Sequence, residues 1–205
     1  MRTKSATRRQ AILDSAAKVF QETGYERASM SDICDQLGCS KATLYSYFPS
    51  KEQLFFEVAL NASEDEFQAT HNALDPSIDD ITEALETFGQ RFLDFIYSPR
   101  VQAVRRLVMS EAGRGDLGRR CYDQGPQRSE AEVTQFLQAA MSAGKLRQAD
   151  PKLAALQLRG LLEAEWIDRF MFHLFDKPAA DEVSQTVKRA VASFMAAYGP
   201  SQQGA

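Results

Sequence analysis

The chain has 205 residues, 44% of them hydrophobic and 25% charged, with a formal net charge of −4. That length buries a sizeable core in one or two domains, and with no run of about 18 apolar residues and no apolar N-terminal leader the reading is of a protein that neither spans a membrane nor carries a signal peptide. Residues 1–51 hold eight Lys/Arg against five acids while the rest holds 16 against 23, a division that suits nucleic acid at one end and excludes indiscriminate coating of it.

The first seven residues are polar, and Arg2, Lys4, Arg8 and Arg9 stand where a tail either lies along phosphates or is simply solvated. Arg8 to Glu22 reads as a helix, because Ile12, Leu13, Ala16, Val19 and Phe20 follow the 3.6-residue period. Thr23-Gly24 ends it.

Residues 29–54 read as two short helices joined by a tight turn, with a third helix following at once. Ser29 caps the first, Asp32 favours its positive end, and Ile33 and Leu37 form its apolar face. Gly38 stands where the helix must stop, since glycine takes the left-handed conformation cheaply. Ser40 caps the second helix, Lys41 to about Phe48, in which Leu44 and Phe48 point inward together. Lys41, Thr43, Tyr45, Ser46 and Tyr47 are left nearer the other side, with no acid between Ser40 and Ser50. A helix-turn-helix with a cation, hydroxyls and tyrosines outward suits phosphate oxygens and base edges. Pro49 stops the helix, and Ser50 with Gln53 makes the capping-box pattern that starts the next.

The run G-C-S-K-A-T-L-Y-S-Y-F-P-S-K-E-Q-L-F closely resembles the DNA-binding helices of TetR-family transcriptional regulators, over about Arg8 to Val58. Ala42 stands where the family often has Gly, and an alanine still lets the backbone approach DNA. The resemblance implies that Ser29, Ser40, Lys41, Ala42, Thr43, Tyr45, Ser46, Tyr47 and Lys51 carry contacts to double-stranded DNA at a pseudo-palindromic operator. Lys51 opens a helix, where positive charge opposes the dipole, and a phosphate nearby would offset that cost; the family uses the matching lysine so.

Lys51 to about Asn72 is the next helix, and the break at Leu74-Asp-Pro places a domain boundary near residue 75. The expected organisation is a helix-turn-helix domain over 1–52, a linker helix over 53–75, and an effector-binding and dimerisation domain over 76–200. Helices are then expected over Asp80–Tyr97, Pro99–Ala112, Leu117–Gln124, Gln127–Ala143, a long one over 151–175 that is apolar nearly all round, and Asp181–Tyr198. Asp150-Pro151 starts the long helix by the rule of a cap followed by proline. The fold class is all-α, with about nine helices. The segment R-R-L-V-M-S-E-A-G-R-G-D-L-G-R-R-C-Y-D-Q-G-P resembles the C-terminal domain of an AefR-like subgroup of TetR regulators.

The resemblance implies a cytoplasmic homodimer, usually a repressor, released from its operator by a small apolar or amphipathic effector. The last two helices would pair with their twins, and the stripe Val187, Val191, Phe194 and Tyr198 is the expected interface. The candidate effector pocket lies between the 80–97 and 151–175 helices, drawn from Phe88, Phe92, Phe95, Met109, Tyr122, Phe136, Glu163, Trp166 and Phe170. The plainer reading of these aromatics is core. Glu163 and Glu165 need partners if buried, and Arg105, Arg106 and Arg169 are the candidates. Cys34, Cys39 and Cys121 lack metal-site spacing and read as reduced; Cys34 and Cys39 read as small apolar fillers, against the alternative of a redox switch, which needs a setting that favours the thiolate, and Asp32 and Asp35 stand beside Cys34. No cofactor is expected, and no acid-base, nucleophile or metal constellation supports an enzyme. The alternative is an all-helical binding or scaffold protein that keeps the head without an effector response.

Overall fold

The computed structural model describes residues 5–111, 113, 115–174 and 178–200. They form eleven helical segments, and no strand occurs among them. These are α1 (Ala6–Thr23), α2 (Met30–Leu37), α3 (Lys41–Tyr47), α4 (Lys51–His71), α5 (Ile81–Ile96) and α6 (Pro99–Ser110). There follow α7 (Leu117–Gln124), α8 (Pro126–Ser142), α9 (Pro151–Glu163), α10 (Ile167–Met171) and α11 (Ala180–Tyr198). The chain packs as two compact units. One comprises residues up to Glu64 together with Ala103–Leu117; the other comprises Asp65–Gln102 and the chain from Gly118 onward. The division falls inside α4, which is continuous through it.

In the first unit α1, α2, α3 and the start of α4 close over one apolar cluster that includes Ile12, Leu13, Phe20, Ile33, Leu44, Phe48 and Leu54. Leu44 and Phe48, four residues apart, are the inward pair of α3 and are 0% and 3% exposed. The second unit is built on α5, α8, α9 and α11. Asp80 caps α5 by accepting the N–H groups of Thr82 and Glu83, and Asp150 caps α9 ahead of Pro151 in the same way. At Gly89 the α5 backbone comes so close to its neighbours that an added Cβ would lie 2.9 Å from Leu162 Cδ2 and 3.0 Å from Val187 Cγ1.

Two expectations change here. The helix expected over 151–175 is broken: Trp166 N–H bonds back three residues to the Glu163 carbonyl at 2.9 Å, and the α-helical ladder resumes only at Ile167. Next to the break the buried Glu163 carboxylate accepts from Arg159 Nε (2.9 Å) and from Tyr97 Oη (3.4 Å), while Trp166 and Phe170 pack on the Tyr97 ring. Glu165 accepts from both Arg189 and Thr186. The acids in this apolar helix therefore find structural partners in Arg159, one turn earlier on the same helix, and in Arg189, 24 residues on.

The second correction concerns the expected dimer stripe. Val187, Val191, Phe194 and Tyr198 are 2%, 0%, 0% and 5% exposed. α11 lies against both α5 and α9, so its apolar row is consumed inside its own chain. Tyr198 ends that row with its hydroxyl on the Gln157 side chain of α9. A surface already removed from water offers a partner nothing.

His71, in the last turn of α4, stacks on Phe67 with ring centroids 4.1 Å apart. Its Nδ1 lies 2.8 Å from the Phe67 carbonyl and its Nε2 2.8 Å from Ser129 Oγ of α8. A carbonyl only accepts, so Nδ1 carries the proton and Nε2 accepts from the serine. Burial pushes the His71 pKa below its ordinary 6.5, against the opposing pull of the Phe67 carbonyl and Glu132. A depressed histidine contributes stability that is complete above the unfolded value and is lost as pH falls towards the folded one. Melting curves taken from about pH 7.5 down to about pH 5 should therefore show the midpoint falling below pH 6.5, and His71→Gln should flatten that fall; an unchanged slope in the variant would assign it to other groups.

Candidate nucleic-acid interface

The helix-turn-helix is held by three local devices. Ser29 Oγ accepts the Asp32 N–H, and the Asp32 carboxylate accepts the Ser29 hydroxyl and N–H, closing a capping box. Those hydrogen bonds from Ser29, side chain first, hold the Asp32 pKa below its usual value. Gly38 then takes φ 66° and ψ 44°. Its N–H reaches the Asp35 carbonyl at 3.4 Å, and the Cys39 N–H reaches the Cys34 carbonyl at 3.0 Å. This double return is a Schellman cap, and it needs the left-handed residue that glycine supplies. Ser40 Oγ next accepts the Thr43 N–H at 3.1 Å and pairs with Thr43 Oγ1 at 2.9 Å.

These caps fix which face of α3 looks outward. Lys41, Ala42, Tyr45 and Ser46 are exposed, Tyr45 at 47%. Thr43 and Tyr47 are half-buried. The Tyr47 ring packs on the cluster beneath, and its hydroxyl accepts the Ser5 N–H at 3.2 Å. Ser29 and Ser40 use their hydroxyls as caps, and Ser46 Oγ bonds the Thr43 carbonyl of its own helix. Of the residues expected at the interface, Ser40, Lys41, Ala42, Tyr45 and Ser46 are exposed, while Ser29, Thr43, Tyr47 and Lys51 are half-buried.

Lys51 departs furthest from expectation. Its Nζ donates to the carbonyls of Tyr25 (2.8 Å), Ala28 (3.2 Å) and Glu26 (3.4 Å), and sits 4.3 Å above the Tyr25 ring. An ammonium has three protons, and here three carbonyls of the α1–α2 loop take them. The Tyr25 hydroxyl donates to Glu52 Oε1 at 3.2 Å, and burial, then Glu52, pushes the phenol pKa well above its usual range. Lys51 is therefore a cap for the loop as well as the start of α4. Arg9 is likewise engaged, with Nη2 2.7 Å from Glu57 Oε2 and its guanidinium over the Phe48 ring. Arg2 and Lys4 lie outside the described residues.

In the second unit, Phe88, Phe92, Phe136, Trp166 and Phe170 all belong to one buried core, with Glu163 buried beside it. A cleft between α5, α8 and α9 is lined by Phe88, Phe92, Ser129, Glu130, Val133, Ala155, Leu156, Leu158 and Arg159, and encloses a volume of ≈ 20 Å³. That holds about one water molecule, far short of the roughly 300–1,000 Å³ of a typical ligand pocket. Of the residues expected in a pocket, the cleft unites only Phe88 and Phe92. Phe136, Glu163, Trp166 and Phe170 do not line it, and Phe95 is half-buried against Phe67. Met109 and Tyr122 are 48% and 49% exposed on α6 and α7. The apolar periodicity that suggested pocket walls is spent on packing. Ser129 and Arg159 were missed because neither breaks the pattern of its own helix.

Residues 12–58 match the family model described as bacterial regulatory proteins of the tetR family, and residues 83–200 match the AefR-like transcriptional repressor C-terminal domain. A TetR-family transcriptional regulator from Mesorhizobium loti is 28% identical, covers 97% of this chain and 100% of its own, and superposes with a TM-score of 0.81. The flavonoid-responsive regulator FrrA is 29% identical over 96% of this chain and 100% of its own, with a TM-score of 0.69. The nucleoid occlusion factor SlmA of Vibrio atlanticus is 28% identical over 82% of this chain and 86% of its own.

Leu44→Ala or Phe48→Ala should lower stability by about 2–5 kcal/mol. Tyr45→Ala should change it by less than about 0.5 kcal/mol while weakening DNA binding. Lys51→Ala should lower the melting point, because three loop carbonyls lose their donor, and should leave the dependence of DNA affinity on salt unchanged. A flattening of that dependence by about one charge would place the ammonium on a phosphate instead.

Proposed function

The chain belongs to the TetR family of transcriptional regulators, a DNA-binding class, and from that premise we propose a homodimeric repressor that lays α3 of each protomer in a major groove of a pseudo-palindromic operator. The observation that carries this reading is the exposed, acid-free face of α3, with Lys41, Ala42, Tyr45 and Ser46 outward and Thr43 and Tyr47 at its margin. Ser29 and Ser40 lie at the helix entries, where they hold the backbone that meets phosphates. Two heads reading half-sites about one helical turn apart give the area that one short helix lacks. The protein works in the cytoplasm, where the chromosome lies, and among the described residues no helix is long and apolar enough to cross a membrane.

With the α11 stripe buried, the surface that supports dimerisation is the outer row of α9. Leu153 and Leu156 are 50% and 45% exposed, and Gly160 and Ala164 continue the same row. Ala192, Ser193 and Ala196 are exposed on the neighbouring α11. Leucines beside small residues on two packed helices suit close approach by a second copy along a two-fold axis.

The effector site is the α5–α8–α9 cleft, in a more open state. Phe88 and Phe92 stack there at 5.5 Å and 26°, with Arg159 at the lip. An aromatic wall with one cation suits a flat apolar or amphipathic molecule, and the flavonoid-responsive relative supports that class. Ser129 lines the cleft and bonds His71 on α4, the helix that continues into the DNA-reading unit. Occupancy would reach the head through that bond, with a coupling of about 1–3 kcal/mol. The small volume of the cleft favours a second reading, a regulator without effector response.

Selection of bound duplexes from a random pool should yield a two-fold symmetric site; enrichment of a single unrepeated half-site would remove the dimeric reading. Leu156→Glu should give a monomer in sedimentation at micromolar concentration, and a dimer that survives it would move the interface. Phe92→Ala should abolish release by any small molecule that frees the wild-type protein from the selected duplex. If no compound in a screen of planar amphiphiles releases DNA, the second reading stands.

A further inference from the structure

The Schellman cap that turns α2 into α3 does more than reverse the chain. In this cap the fourth residue from the end of the helix and the second residue past it are brought side by side, and a contact between their side chains commonly accompanies the backbone bonds. Here those two positions are Cys34 and Cys39. Their backbones are joined by the 3.0 Å N–H···O=C bond, which holds the Cα atoms within roughly the 4.4–6.8 Å window that a disulfide spans. Both side chains turn to the same apolar cluster, Cys34 within it and Cys39 half-buried against its edge. The thiol of Cys34 is pushed up in pKa by burial first and by the Cys39 thiol at its side next, so the two sulfurs are neighbours. Both cysteines are free, and neither is used by the DNA-reading face.

We propose that Cys34 and Cys39 are a modification site, which a peroxide converts to an intramolecular disulfide across the turn of the helix-turn-helix, and that this bond withdraws the head from DNA. The chemistry balances with the peroxide as the sole oxidant. Cys39, the more accessible sulfur, attacks one peroxide oxygen: an S–O bond forms, the O–O bond breaks, and the departing hydroxide takes the thiol proton as water. Cys34 then attacks the Cys39 sulfur: the S–S bond forms, the S–O bond breaks, and a second water leaves with the Cys34 proton. The two thiols lose two electrons and the peroxide gains them. The buried resolving thiol makes the second step slow at neutral pH and faster as pH rises, because the thiolate is the nucleophile.

The consequence for DNA follows from position. Cys39 directly precedes Ser40, the cap of α3. The two neighbouring sulfurs must close to about 2.05 Å in the disulfide, which draws Cys39 and the start of α3 towards α2. Lys41 and Ala42 lie in that first turn, and base-edge hydrogen bonds weaken steeply with small errors of distance and angle. The proposal rests on the DNA-binding head alone and is independent of the effector cleft.

The test uses the full chain with Cys121→Ser, which removes the only other thiol, on α7. The protein is treated with hydrogen peroxide, digested without reductant and mapped by mass spectrometry, and its affinity for the selected duplex is measured before and after dithiothreitol. The expected result is a 34–39 linked peptide lighter by two hydrogens, affinity weakened roughly tenfold or more, recovery on reduction, and no loss of affinity in Cys39→Ser under the same peroxide. Cys39→Ala serves as a second variant should the serine disturb the turn, and melting curves show that each is folded. Separate sulfinic acids, or disulfides only between chains, would overturn the proposal. So would a 34–39 link that leaves affinity unchanged.

Discussion

The reading head depends on a half-buried ammonium held by a nest of carbonyls. The loop between α1 and α2 leaves the carbonyls of Tyr25, Glu26 and Ala28 pointing at one place, and Lys51, the first residue of α4, fills it. The same cation lies on the Tyr25 ring, and that ring meets Phe55 at 4.7 Å and Phe20 at 6.2 Å. One side chain thus joins the end of α1, the start of α2 and the start of α4. With those three fixed, α3 has one place left to pack, and Leu44 and Phe48 take it. The outward face of α3 is the remainder after this packing. It is rigid because its support is rigid, and a surface that reads base edges needs that.

Much of this was legible in the chain. The caps at Ser29, Ser40 and Asp150, the stop at Gly38 and the inward pair Leu44 and Phe48 follow from short-range rules, and each lies where its local pattern puts it. What was not legible is of longer range. Lys51 and its loop carbonyls are 23–26 positions apart, so nothing in the local pattern links them. The stripe of α11 showed that a large apolar surface must be covered without showing by what. Periodicity gives a face, and only the packing of α5 and α9 around α11 decides whether that face meets its own chain or another. The break near Trp166 was hidden for a related reason, because an apolar run through a turn looks like an apolar run through a helix.

The two units manage polar groups in contrasting ways. In the head, Ser29 and Ser40 are spent on caps, and Arg9 and Lys51 on a carboxylate and on carbonyls, so the exposed Lys41 and Tyr45 of α3 stand out by contrast. In the body, Glu163 and Glu165 are tied to Arg159 and Arg189, and His71 is held neutral between a carbonyl and a serine. Only the Glu163 carboxylate is buried; Arg159, Glu165 and Arg189 lie near the surface, so removing Arg159 would cost more than removing Arg189. Such groups hold the body in one arrangement, against which any competing partner would have to act.

The closeness of α5 to α9 and α11 at Gly89 sets how that competition is felt. A methyl group there would sit 2.9 Å from Leu162 and 3.0 Å from Val187, closer than ordinary van der Waals contact. Either the Leu162 and Val187 side chains or the helix that carries Phe88 and Phe92 would have to give way. Gly89→Ala is in this sense a guest molecule written into the chain: it wedges the body apart from within, with no binding equilibrium to satisfy. If opening of the body is what frees DNA, cells carrying this one extra carbon would express the regulated genes without any signal, and the size of that leak would gauge how much of the regulator's resting state depends on the absence of a single side chain.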